Sequence, residues 1–175
     1  MFFKRTPKPV APHAHAADVL SDLVRRELRG RRRDDDDNDD DAARIVIAVA
    51  GLLASVAYAD RVYGEAERAY AKDALSRLDG LTPEGVTAIC DLLAEHGHTI
   101  AAQNPQAFTR ELRERVDVEL RREVLDVLVD LAAADGELAL AETDLLRRTA
   151  TALGLTNDDY LTAQQHHRDK LSVLK

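Results

Sequence analysis

The sequence predicts an all-α domain, and three observations carry that prediction. Hydrophobic residues make up 45% of the chain but include no Trp, four Tyr and three Phe, so the core has to be built from Leu, Val, Ile and Ala. Apolar residues recur at helical spacing from Val19 onward, and no segment sustains the two-residue alternation of a strand. A pattern of apolar helix, acidic turn and second helix also occurs twice. At 175 residues the chain accommodates one domain of ordinary size with a tail. The expected architecture is a duplicated bundle of about six to seven helices in two pseudo-twofold halves, preceded by a flexible N-terminal arm. Residues 1–41 form the arm, with a short amphipathic helix and an Asp-rich linker, and residues 42–175 form the helical domain.

The segment to about Ala16 is rich in Pro, Ala and basic residues and is expected to be extended or disordered. From Asp18 to Arg29, Val19, Leu20, Leu23, Val24 and Leu28 share one face while Arg25, Arg26 and Arg29 occupy the rest, which predicts a short basic helix. Arg31, Arg32 and Arg33 then meet Asp34–Asp41, interrupted only by Asn38, a run read as a solvated tether. The first core helix is expected over Ala42–Ala59. Its charge-free run from Ile45 to Ala59 has fifteen residues, short of the roughly twenty that span a bilayer, and reads as a buried helix.

After a break at Asp60–Gly64, a second helix is expected over Glu65–Leu78, stopped by Asp79-Gly80. Thr82 and Pro83 supply a cap and a first-turn proline for a third helix to about Gly97, with at most a weak turn over His98–Asn104. Helices follow over Pro105–Arg115 and Asp117–Ala134, the latter with Val124, Leu125, Val127, Leu128 and Leu131 as its stripe and Asp135-Gly136 as its stop. Leu140–Leu153 and Asn157–His167 complete the domain, with Gly154 in the gap and Thr156 as the last cap.

The repeat sits at an offset of 75 residues. Ala57, Ala59, Asp60 and Glu67 recur as Ala132, Ala134, Asp135 and Glu142, and Leu81-Thr82 recurs one residue early as Leu155-Thr156. The acidic turns have two readings. In the structural one, each Asp closes the preceding helix, Gly136 supplies the left-handed exit, and Glu67 and Glu142 bond back to cap N–H groups at Gly64 and Ala139. Such contacts contribute about 1 kcal/mol each. In the functional one, packing of the two turns places Asp60, Glu67, Asp135 and Glu142 around a hard divalent cation of the Ca or Mg type. Asp126 and Asp130 then add charge from one helical turn apart. The candidate metal ligands are therefore Asp60, Glu67, Asp130, Asp135 and Glu142. The spacing is not that of an EF-hand.

Leu131-Ala132-Ala133-Ala134-Asp135-Gly136, through Glu142 to Leu153-Gly154-Leu155, resembles the tellurite-resistance TerB family, to which the N-terminal domain of DjlA-type co-chaperones is related. The first copy departs from the pattern, with Arg61 where the glycine stands in the second. The resemblance covers about residues 42–170. It implies a duplicated helical bundle, a non-enzymatic role in bacterial metal or envelope stress, an acidic face for a divalent metal, and partners at the membrane. It leaves two alternatives open: a co-chaperone-like docking domain, although no J-domain His-Pro-Asp occurs, and a small metal-dependent hydrolase.

Charge and motif content narrow the function classes. The net charge of −8 divides into +6 over residues 1–33, −7 over residues 34–41 and −7 over residues 42–175. The excess of acids argues against nucleic-acid binding. The expected partners are proteins, membrane-associated ones included, with a weak anionic-membrane contact through residues 18–33 as a second use of the basic helix. A single cysteine, Cys90, in phase with Val86, Ile89 and Leu93, reads as a core side chain in a reducing compartment. No apolar stretch of signal-peptide type follows the first basic residues, so a cytoplasmic location is expected, peripheral at the inner membrane if the arm engages lipid. His13/His15, His96/His98 and His166/His167 are assigned surface or capping roles. Phosphate-loop, nucleophile-elbow and zinc-protease motifs are absent from the sequence, so no catalytic residue is assigned and the chain is read as a non-enzyme.

Overall fold

A computed structural model describes residues 12–29, 36–59, 63–78, 81–102, 105–134 and 140–173. Every regular element among them is a helix: α1 (Pro12–Arg29), α2 (Asp36–Ala57), α3 (Glu65–Ser76), α4 (Pro83–Ala101), α5 (Pro105–Arg115), α6 (Val118–Ala132), α7 (Leu140–Ala152) and α8 (Asn157–Val173). The charge-free run becomes α2, and α1, α3, α4, α5, α6 and α7 all pack against it. Val46, Val49, Leu52, Leu53 and Val56 are buried along it, alternating with buried Ala43, Ala48, Ala50, Ala54 and Ala57. Alanines on several faces let neighbouring helices approach closely without voids, which is how a core poor in aromatics reaches native density. At Gly51 the approach is closer still: a Cβ there would overlap the ring of Phe108 on α5.

The N-terminal region differs from the sequence expectation. Helix α1 begins at Pro12, a residue suited to a first helical position, rather than at Asp18. It packs on α2 and α4 and buries Leu20 and Val24. Residues 36–41, expected as tether, are instead the opening turns of α2. The physical reason is that aspartates near a helix N-terminus meet its partial positive charge, and basic side chains cover them. Asp40 accepts from Arg44 Nε at 2.8 Å and pairs with Arg25 of α1 at 3.1 Å, while Asp41 pairs with Arg115 of α5 at 3.0 Å. The Arg44 hydrogen bond holds the Asp40 carboxyl below its ordinary range. The expectations for residues 1–11 and 30–35 lie outside the described residues.

Elsewhere the boundaries follow local chemistry. Thr82 Oγ1 accepts from the Gly85 N–H at 2.9 Å to cap α4, and Asp117 accepts from the Leu120 N–H at 2.9 Å to cap α6. Helix α4 runs on through Gly97, where the sequence suggested an end, because this glycine serves packing and not termination. A Cβ at Gly97 would collide with the Tyr58 ring, which is anchored by its hydroxyl donating to Leu93 O at 3.1 Å and Ala94 O at 3.2 Å. Gly154 does terminate a helix. With φ at 73°, it lets Leu155 N–H reach Ala150 O at 2.9 Å and its own N–H reach Thr151 O at 3.0 Å, closing α7 in a Schellman motif. Thr156 and Asp159 then form a reciprocal cap for α8: Thr156 N–H donates to Asp159 Oδ2 at 2.8 Å, and Asp159 N–H donates to Thr156 Oγ1 at 3.1 Å. Helix α8 continues to Val173, beyond the expected His167. Cys90 is buried in the core, and burial pushes its thiol up.

The element order repeats. α2 ends at Ala57 and α6 at Ala132, α3 opens at Glu65 and α7 at Leu140, and α4 packs on α2 and α3 as α8 packs on α6 and α7. The preceding helices break the correspondence, since α1 packs within its own half whereas α5 packs mainly on α2.

Two outcomes follow from this packing. Gly97→Ala, a change that ordinarily favours a helix by about 0.5–1 kcal/mol, is expected to cost about 1–3 kcal/mol through overpacking against Tyr58. In a Tyr58→Ala background the same change is expected to become neutral or stabilising, and urea unfolding of the two pairs measures the difference. Asp159 is held at about 2 by the Thr156 backbone hydrogen bond first, then the Thr156 hydroxyl and Arg122. Its folded value lies below its unfolded one of about 3.9, so its stabilisation is present above about pH 4 and is lost as pH falls towards 2. Asp159→Asn is expected to lower the urea midpoint at neutral pH and to flatten its decline across that acid window.

Candidate functional site

The acids singled out by the repeat divide into described and undescribed members. Helix α3 opens at Gly64, whose backbone is extended (φ −79°, ψ 169°) and whose N–H donates to Glu67 Oε2 at 2.7 Å. This is one arm of a capping box; glycine has no side chain to return the other. Glu67 is only 7% exposed. Glu142 occupies the matching third position of α7 and is 5% exposed. Both copies therefore bury a carboxylate at the start of the second helix, an arrangement that is costly unless hydrogen bonds or a cation compensate. Asp60 and Asp135 lie outside the described residues. Beside the first turn, the Tyr63 ring packs on Tyr58 with centroids 5.3 Å apart, and its hydroxyl is buried without a hydrogen-bond partner among the described residues. Burial pushes that phenol above its ordinary range.

Asp130 lies in a different environment. On α6 and 8% exposed, it accepts from the Tyr70 hydroxyl of α3 at 2.9 Å through Oδ2, and its Oδ1 lies 2.8 Å from Nδ1 of His167 on α8. One helical turn earlier, Asp126 Oδ2 lies 3.2 Å from Nδ1 of His166. Burial and the Asp130 charge push the Tyr70 phenol up. These contacts tie α3, α6 and α8 together through polar side chains, the Asp130 pairs largely buried and the Asp126–His166 pair exposed. His167, assigned a surface or capping role, is only 15% exposed at its side chain because α8 packs on α6 and turns this residue towards Asp130. Tyr70, His166 and His167 are the members of the constellation that the sequence reading did not connect. The legible signal was the i, i+4 spacing of Asp126 and Asp130; the missing information was that α8 is the neighbour of α6. Among the described residues, no group of three or more His, Cys, Asp or Glu side chains is placed to hold a metal ion, so Glu67, Asp130 and Glu142 are not brought together.

An open groove of about 560 Å³ adjoins this network between α2, α3 and α6. Val46, Val49 and Val124 are among its apolar lining, while Glu123, Asp126 and Asp130 face it from α6 and Arg77 from the C-cap of α3.

Removing Asp130 leaves a half-buried phenol and an imidazole without their shared acceptor. Asp130→Ala is therefore expected to destabilise the fold by about 1–3 kcal/mol, more than Tyr70→Phe, which deletes one donor and costs about 1 kcal/mol. Urea unfolding of the two variants and of their double mutant checks both the order and the non-additivity.

The chain was compared with known families, curated proteins and solved structures. The family model described as tellurite resistance protein TerB matches residues 46–165, well over half of the chain. No curated protein and no solved structure matches significantly. The family match spans both acidic turns and every helix from α3 to α7, the region in which Ala-Asp-Gly, Glu142 and Leu-Gly-Leu stand at the spacing described above. The chain belongs to the tellurite-resistance TerB family.

Proposed function

We propose that this TerB-family chain is a non-enzymatic interaction and sensor module of a bacterial tellurite or envelope stress response, in which the acidic turns take up a divalent cation of the Ca or Mg type. The observation that carries the reading is the matched pair of buried carboxylates, Glu67 at 7% and Glu142 at 5% exposure, each opening the helix after an acidic turn. Buried acids at helix N-termini couple the conformation of the turn to whatever neutralises them. Hard cations are satisfied by carboxylate and turn-carbonyl oxygens together. Because the described acids do not converge on one point, the favoured arrangement is a site at each turn, Asp60 with Glu67 and Asp135 with Glu142. Asp130, engaged by Tyr70 and His167, supports the turns from α6.

Cation uptake would rigidify the turns and present the bundle surface to a protein partner, which is the sense in which the module senses. A cytoplasmic setting suits this role, and no described helix is long and apolar enough to cross a membrane. Contact with an anionic membrane through residues 18–33 has weaker support. Helix α1 directs Leu20 and Val24 into the core and leaves Val19, 37% exposed, as its large apolar surface residue among those described.

Isothermal calorimetry with Ca²⁺, Mg²⁺, Mn²⁺ and Zn²⁺ tests the proposal. The expected result is binding of a hard cation that Asp135→Ala abolishes at one site and Asp60→Ala at the other. No heat with any of the four metals, or heat unchanged in both variants, would leave the turns as helix caps only.

A further inference from the structure

The groove between α2, α3 and α6 has an apolar floor that includes Ile45, Val49, Val124 and Val127, and an α6 edge that carries Glu123 and Asp126. Leu120 stands at its mouth, 37% exposed. An apolar trough with an acidic edge selects a segment whose large apolar side chains are followed directly by basic ones. The chain contains such a segment. Residues 1–9 read Met-Phe-Phe-Lys-Arg-Thr-Pro-Lys-Pro, with two of the three phenylalanines, three basic residues and no acid. They lie outside the described residues and lead into α1 at Pro12.

The reach is sufficient. The Arg25–Asp40 ion pair places the last turns of α1 beside the first turns of α2, and α1 packs on α2, so Pro12 is taken to lie towards the Ala57 end of α2. The groove residues of α2, from Val49 back to Ala42, lie about 12–23 Å from that end at 1.5 Å per residue. From Pro12 back to Phe3 the nine residue steps span about 30 Å in extended form. That length covers the distance along α2. Tethering also raises the effective concentration of the segment to about millimolar, so a weak contact is well populated.

We propose that residues 1–8 fold back on their own chain, seating Phe2 and Phe3 on the apolar floor of the α2–α3–α6 groove and placing Lys4 and Arg5 against Glu123 and Asp126. The groove is then self-occupied, and an outside segment of the same chemistry has to displace the N-terminus to enter it. The proposal does not rest on the cation reading: of the described turn acids neither Glu67 nor Glu142 lines the groove, and Asp130, which does, is engaged by Tyr70 and His167.

The test is backbone amide NMR on the full chain. In Phe2→Ser/Phe3→Ser, the amides of Ile45, Val49, Val124 and Val127 are expected to shift while helical circular dichroism is retained. Glu123→Lys, an exposed change, is expected to move the same amides part of the way. A synthetic peptide of residues 1–9 is expected to restore the original positions when added to the double-serine chain, and to bind several-fold more weakly when that chain also carries Glu123→Lys. Unchanged groove amides in the double-serine chain, or failure of the peptide to bind it, would overturn the proposal. Shifts that grow with protein concentration alongside a dimeric mass would also overturn it, assigning the groove to a second copy.

Discussion

A helical stretch from Ile45 to Ala57 without a charge is poorly suited to water, and the rest of this fold is the solution to covering it. Helix α2 is contacted by six other helices, and its alanines and Gly51 set how close they come. Burying a Leu or Val side chain contributes about 1.5–3 kcal/mol. The large apolar residues of α2 thus supply a driving force that few other segments of the chain match. The covering is cooperative, because α4, α5 and α6 each use one face on α2 and another on a further helix, α1 or α3, α7, and α8 respectively.

The two acidic turns of the sequence pattern follow the ends of α2 and α6. Their position follows from the packing: α2 and α6 terminate at Ala57 and Ala132, and the chain re-enters the bundle with Glu67 and Glu142 buried at the start of the next helix. At the first turn the buried Glu67 carboxylate caps its helix by accepting from the Gly64 N–H; under the proposed function the same oxygens would serve a cation. The Asp130 network is of another kind. Its acceptor is already matched to a phenol and an imidazole, and it holds α3 and α8 to α6.

Much of the helix pattern was legible because local rules acted without competition. Pro105–Arg115 was read with its observed bounds, and the caps at Thr82 and Thr156 and the stop at Gly154 have the geometry that their residue types imply. The misreadings share one cause. Gly97 looked like a helix end but is a place where Tyr58 needs space, and the end of the aspartate run looked like a tether but is helical, with Asp40 and Asp41 paired to Arg25, Arg44 and Arg115 from three helices. In each case a tertiary partner far away in sequence reversed a local preference. The same holds for His167, whose role depends on which helix lies beside α8. The repeat was readable as a sequence offset, whereas the different packing of α1 and α5 was not.

The central claim is that the two acidic turns change state when a hard cation is present. Amide hydrogen exchange over residues 60–64 and 135–139, followed by mass spectrometry with and without Ca²⁺ or Mg²⁺, tests it most directly. The account predicts slowed exchange in both turns on cation addition, with α2 and α6 unchanged at their centres. Exchange in the turns that is identical with and without either cation would contradict it.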